Sequence, residues 1–109
     1  MKTPSIIALA MIFVACSPKI VAPMQADIDR VAAKHPTYTL ANVQQGKALY
    51  EQQCTGCHGL KKPTAYSEAA WQKIVPNMVI KANKKAGKQA VSPAQQALIL
   101  EYLLTMTQK

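Results

Sequence analysis

Half of the 109 residues are hydrophobic, and this length accommodates one domain but no second domain of ordinary size beside it. The chain carries 13 Lys and Arg against 5 Asp and Glu, which gives a formal charge of +8. Three Cys and two His exclude a site with many metal ligands of these types, and one Phe and one Trp require a core built mainly from aliphatic side chains.

The first residues have the pattern of an export signal. An apolar run over residues 6–15 is too short to span a bilayer, which takes about 20 residues as a helix, and it matches the apolar core of a signal peptide. Residues 13–16 read Phe-Val-Ala-Cys and resemble the lipobox of bacterial lipoproteins, with Phe13 in place of the usual Leu. This resemblance implies that residues 1–15 form a lipoprotein signal peptide and that Cys16 is acylated. The alternative is an ordinary signal peptide that contains a cysteine.

Residues 16–38 are predicted to be the acylated cysteine and a flexible tether. Three prolines interrupt this stretch, and its one helix-like patch lies at residues 27–34. A flexible chain of this length spans on the order of 28 Å, which would hold a domain clear of a membrane surface. The predicted location is therefore the cell envelope, with a lipid anchor in a membrane facing the periplasm. Ser17 after the cysteine favours the outer membrane if the source is Gram-negative.

A folded domain is predicted over residues 39–109, and it begins with a helix. Thr39 or Asn42 can cap this helix, which is expected to end near Gln53. Gly46 inside the helix costs about 1 kcal/mol relative to Ala. This cost indicates that Gly46 has a packing role.

A second helix is signalled by Ser67 and Glu68. Its apolar stripe has helical spacing and consists of Trp71, Ile74, Val75 and Met78. Pro76 interrupts this stripe and is expected to kink or end the helix near Val75. Gly87 is a stop signal at the end of the basic stretch that follows.

The last helix has the strongest start signature, because Ser92, Pro93 and Gln95 combine an N-cap, a proline at the first position and a capping box. Its buried face is predicted to consist of Leu98, Ile99, Tyr102, Leu103 and Met106. No stretch alternates in the manner of a strand. The fold class is therefore all-α.

The chemistry lies in Cys54, Cys57 and His58, which form a C-x-x-C-H haem-attachment motif. Two thiols separated by two residues can form thioethers with the two vinyl groups of one porphyrin, and the adjacent His can then ligate the iron. A zinc site would need about four ligands, and only His35 remains to supply another His or Cys in the mature chain. A redox-active dithiol lacks its usual βαβ setting, and a structural disulfide would leave His58 without a role.

The motif, with residues 46–50 before it and residues 99–103 near the C-terminus, resembles a small monohaem class I cytochrome c. The resemblance covers roughly residues 40–109. It implies an all-α domain wrapped around one covalent haem c, and an electron carrier, not an enzyme. It also implies that the first and last helices cross at Gly46, with Tyr50 packed against Tyr102 or Leu103.

The second axial ligand is predicted to be Met78, since relatives usually employ a Met and this one follows a proline between the motif and the last helix. His35 or an open iron position is the alternative. The other ring nitrogen of His58 is expected to donate to a backbone carbonyl. Relatives use a carbonyl next to a Pro, so the resemblance implies Pro63, or Lys62 before it, as the acceptor. His/Met ligation suits a carrier, whereas an open position would suit a gas-binding module. A haem subunit of one oxidoreductase complex is a further alternative.

The basic charge is concentrated after the motif. Two interpretations remain open: a solvated surface, or a positive rim that steers docking to acidic redox partner proteins and depends on salt. Export excludes nucleic acid as a partner in practice. The lysines concerned are Lys61, Lys62, Lys73, Lys81, Lys84, Lys85, Lys88 and Lys109.

Overall fold

Helices account for the fold of residues 20–54 and 60–108, the part of the chain that the computed structural model describes. In chain order they are α1 (Gln25–Val31), α2 (Leu40–Gln53), a 3-10 turn (Pro63–Ala65), α3 (Glu68–Ala86) and α4 (Pro93–Met106). These two stretches contain no strand. The predicted all-α class is confirmed.

The helix starts follow from side chains that accept the first free amides. Thr39 Oγ1 accepts the amide of Asn42 at 3.2 Å, and Ser67 caps α3 in the same way. At the start of α4, Ser92 and Gln95 each accept the other's amide, which completes the predicted capping box. Because such bonds join residues three apart, the sequence predicted them correctly.

Helix α3 runs through Pro76 to Ala86, so of the two predicted effects of Pro76, a kink or an end near Val75, the end is wrong. Proline has no amide hydrogen, and this removes one helical hydrogen bond. However, Val75 and Val79 on either side of it are both buried in the same core, which stabilises the helix before and after the proline. Gly87 adopts the left-handed conformation with φ of 67°, as the predicted stop requires.

The core forms mainly where α2 crosses α4. At Gly46 the two backbones approach so closely that a Cβ atom there would lie 1.9 Å from the carbonyl oxygen of Leu98. Tyr50, one turn later, packs against Tyr102 with ring centroids 6.1 Å apart. The predicted crossing of the first and last helices of the domain at Gly46 is thus confirmed. Around it lie the other fully buried large side chains, namely Trp71, Ile99, Leu103, Met106, Val43, Val75 and Val91.

Residues 20–38 pack against α4, which differs from the expected flexible tether. Ile28 and Val31 of α1 are buried. The Tyr102 hydroxyl donates to the carbonyl of Val21 at 2.8 Å. Arg30 donates to the carbonyl of Thr105 at 3.1 Å while it pairs with a carboxylate of its own helix. The apolar side chains of α1 are thus buried against α4, and this burial favours a packed helix over an extended chain.

Candidate functional site

Of the predicted haem-attachment residues, Cys54 lies within the described part of the chain, directly after the last turn of α2. Its amide donates to the carbonyl of Tyr50 at 3.0 Å, so Cys54 is the C-cap of this helix. Cys57 and His58 lie outside the described residues, as does Cys16. The helix therefore sets the position of the first thiol through its own backbone.

The Cys54 thiol is half-buried, and burial raises its pKa to about 11. Zinc binding and thiol redox chemistry both use the thiolate, which low-pKa cysteines supply. A thioether is neutral and suits an apolar setting. Burial of Cys54 therefore favours the neutral thiol over the thiolate.

Two buried aromatic side chains hold the backbone that follows the motif. The hydroxyl of Tyr50 donates to the carbonyl of Lys61 at 2.6 Å, and Nε1 of Trp71 donates to the carbonyl of Pro63 at 2.8 Å. The two rings meet edge to face, with centroids 6.1 Å apart. Sequence reasoning missed this role for both residues. A signal was present, because a buried Tyr or Trp usually finds an acceptor for its polar hydrogen.

The carbonyls predicted to accept from His58 already have donors. Pro63 accepts from Trp71, and Lys62 accepts from the amide of Ala65 at 2.9 Å. A carbonyl oxygen has two lone pairs, so each could accept a second bond. The bond from His58 itself lies outside the described residues and stays a prediction.

Met78 lies on α3, two turns beyond Trp71, and is partly buried against the core. His35, the alternative ligand, is engaged elsewhere. Its Nε2 lies 2.7 Å from a carboxylate oxygen of Glu68, and its ring stacks on Tyr38 with centroids 4.4 Å apart. His35 would have to leave both partners to reach an iron. This arrangement favours Met78 over His35.

Part of the apolar surface of the core cluster is incompletely covered. Several partly buried hydrophobic side chains pack against the same core cluster as Cys54, among them Leu49, Leu60, Ile74 and Met78. A porphyrin is a large, mostly apolar disc, and it gains free energy by covering such surface. The partly buried side chains of this cluster therefore fit a haem that would cover them.

The basic side chains before and after the motif differ in their surroundings. Before the motif, three basic side chains are each paired with an acidic one, namely Arg30, Lys34 and Lys47. The partner of Lys34 is Glu68, and Lys34 together with His35 lowers the pKa of Glu68. After the motif, the lysines are exposed at positions 61, 62, 73, 81, 84, 85 and 88. From residue 69 to residue 88 the sequence contains no Asp or Glu. The predicted positive surface is thus presented to solvent mainly by α3.

A family model described as cytochrome c oxidase, cbb3-type, subunit III, matches residues 41–103, which is more than half of the chain. The matched region runs from the start of α2 into the last turns of α4. No curated protein and no solved structure matches the chain. Neither described stretch contains a helix that is long and apolar enough to cross a membrane.

Proposed function

The chain belongs to the cytochrome c family of cbb3-type oxidase subunit III, whose domain binds covalent c-type haem, and we propose that it is a lipid-anchored electron carrier of the cell envelope. Cytochrome c domains serve haem-based electron transfer, as carriers or as redox subunits. The proposed haem residues are Cys54 and Cys57 as thioether partners and His58 as the proximal ligand.

One observation supports this assignment most directly. Cys54 is the half-buried C-cap residue of helix α2, and it packs against the same core cluster as Leu49, Leu60 and Met78. A bound haem c supplies an iron that cycles between ferric and ferrous states. The protein's part is to fix the ligands, exclude water with the apolar side chains of α3, and hold the haem covalently.

Met78 is the proposed distal ligand. It lies on the buried side of α3, and the competing His35 is paired with Glu68. A Met thioether raises the reduction potential and fills the sixth position, so that little rearrangement accompanies electron transfer. A filled position also leaves no site for substrate, which agrees with a carrier.

Absorption spectroscopy of the haem-loaded protein tests the proposed ligand. We expect a methionine-to-iron charge-transfer band in the ferric protein, lost in Met78→Leu. Met106→Leu is the matched control, because Met106 is buried in α4 and the substitution makes the same change in volume. If the band persists in Met78→Leu, or disappears in Met106→Leu, the assignment of Met78 fails.

A haem subunit of one oxidoreductase complex is the second candidate, and the description of the matching family favours it. A subunit of this kind would copurify with its enzyme in fixed proportion after mild solubilisation, whereas a carrier would separate from it. Rapid CO binding by the ferrous wild type would indicate a third role, that of a gas-binding module with an open iron position.

The lipid anchor is proposed at Cys16 from the lipobox-like residues before it. Mass spectrometry of the mature N-terminus should find a diacylglyceryl-modified cysteine, and Cys16→Ser should move the protein from the membrane fraction to the soluble fraction of the periplasm. A mature N-terminus at any other residue would refute the anchor.

Acidic redox proteins are the proposed partners. The exposed lysines of α3 would steer such a partner, and salt would weaken the attraction because the Debye length is about 8 Å at physiological ionic strength. Lys81→Glu with Lys84→Glu should slow electron transfer to an acidic redox protein at low salt. Lys47→Gln is the control, since Lys47 is paired with Glu51. Equal electron-transfer rates in the wild type, the double variant and the control would show that Lys81 and Lys84 take no part in docking.

A further inference from the structure

Tyr50 bonds to the backbone on both sides of the segment that contains Cys57 and His58. Its own carbonyl accepts the amide of Cys54 at 3.0 Å, which is the last helical bond of α2. Its side-chain hydroxyl donates to the carbonyl of Lys61 at 2.6 Å. Two hydrogen bonds at one residue therefore join the chain just before the segment to the chain just after it.

The hydroxyl of Tyr50 is not needed for packing. The side chain is 1% exposed, and its ring contacts those of Trp71 and Tyr102, with both centroid distances 6.1 Å. A Phe would fill the same volume and make the same ring contacts. A buried hydroxyl is unfavourable unless it is hydrogen-bonded. Tyrosine at this position is therefore explained by the bond to Lys61.

A second donor supports the same stretch of backbone. Trp71 reaches it from α3 and donates to the carbonyl of Pro63 at 2.8 Å. Tyr50 reaches it from α2. Two carbonyls that are two residues apart are thus fixed from two different helices.

We propose that Tyr50 is the positioning residue of the haem-attachment segment. By holding Lys61 to the end of α2, its hydroxyl fixes the separation of the two ends of this segment. The attachment segment must bring two thiols and one imidazole to a single haem. If its ends are already fixed, less conformational entropy is lost on attachment, and attachment is more favourable. The inference rests on the proposed function for the identity of the haem residues, whereas the hydrogen bonds themselves do not depend on it.

The test compares Tyr50→Phe with Tyr102→Phe in the full-length, haem-loaded protein. Tyr102 is the matched control, since it is 0% exposed and its hydroxyl also donates to a backbone carbonyl, that of Val21 at 2.8 Å. The two variants lose the same atom and the same type of bond. They differ in the stretch of backbone that is released.

Hydrogen–deuterium exchange and reduction potential are the two readouts. In Tyr50→Phe we expect the amides of residues 60–65 to exchange roughly tenfold faster, the factor that corresponds to one hydrogen bond of ordinary strength. The reduction potential should fall, because a loosened segment admits water, which favours the ferric iron. In Tyr102→Phe the faster exchange should appear at residues 20–24, with the potential unchanged.

Equal changes at residues 60–65 in both variants, or no change in either, would overturn the positioning role of Tyr50. A different result would defeat the proposed function: a wild-type chain that shows no covalent haem on a denaturing gel. In that case the exchange comparison, made on the haem-free chain, would still show whether the Tyr50 hydroxyl holds residues 60–65, so the two failures are distinguishable.

Discussion

Gly46→Ala is expected to destabilise the protein, although helix propensity alone favours Ala over Gly by about 1 kcal/mol. The added Cβ atom at position 46 would lie 1.9 Å from the carbonyl oxygen of Leu98 and 3.1 Å from the Cβ of Tyr102. A carbon and a carbonyl oxygen come into contact at roughly 3.3 Å. Helices α2 and α4 must therefore separate locally by about 1.4 Å, the difference between the contact distance of roughly 3.3 Å and the 1.9 Å available.

This separation weakens the main contact of the core. A gap of about 0.5–1 Å already forfeits a quarter to a half of the dispersion attraction between facing atoms. Overpacking typically costs about 1–3 kcal/mol, and a clash with backbone belongs at the upper end of that range because backbone cannot rotate away. After the propensity gain, we expect a net loss of about 2 kcal/mol. For a domain of this size the midpoint of thermal unfolding should fall by roughly 8–16 °C.

Circular dichroism of the haem-loaded protein during heating measures this shift. The matched control is Ala48→Gly, which lies in the same helix but is exposed, and which should lower the midpoint by propensity alone, by roughly 4–8 °C. If propensity decided the outcome at both positions, Gly46→Ala would raise the midpoint by the amount that Ala48→Gly lowers it. That result would refute the close helix crossing.

Three other substitutions test separate features. Trp71→Phe removes the donor to the Pro63 carbonyl and should lower the free energy of unfolding by about 1–3 kcal/mol, measured in urea; an unchanged value would mean that the bond contributes nothing. Pro76→Ala restores an amide donor inside α3 and should raise the free energy of unfolding by at most about 3 kcal/mol, seen as a higher thermal midpoint. A lower midpoint would contradict the inference that Pro76 costs α3 a hydrogen bond. Glu68→Gln tests a pH effect, because the partners of Glu68 lower its pKa below the ordinary 4.5. The wild type should be the more stable protein above pH 4.5, and the difference in stability should be lost as pH falls through the folded-state pKa. A difference in stability that does not change with pH would exclude an ionised Glu68 as its source.

The helices could be predicted where local interactions specify them. The caps at Thr39, Ser67 and Ser92 join residues three apart, so the sequence contains both partners of each bond. The left-handed stop at Gly87 is likewise a property of one residue. The C-x-x-C-H motif also belongs to this local class, and the family match agrees with the haem that it implies.

The packing of α1 against α4 could not be predicted from local interactions. The three prolines of residues 16–38 predict a tether, but Arg30 finds its acceptor at Thr105, 75 residues along the chain. The same holds for His35, which the sequence left as an alternative iron ligand and which the fold pairs with Glu68. Neither partner can be read from spacing, because both depend on how the helices pack.

The sequence by itself determined the all-α class, the helix starts and the haem chemistry expected at Cys54, since each of these depends on residues that are neighbours in the chain. The tertiary structure confirmed the predicted close approach at Gly46 and gave its contact distance. It alone decided why α3 continues through Pro76 and what the buried hydroxyl of Tyr50 binds. In these cases the deciding term is contact between distant segments: the Leu98 carbonyl against Gly46, the core around α3, and the Lys61 carbonyl at the end of the attachment segment.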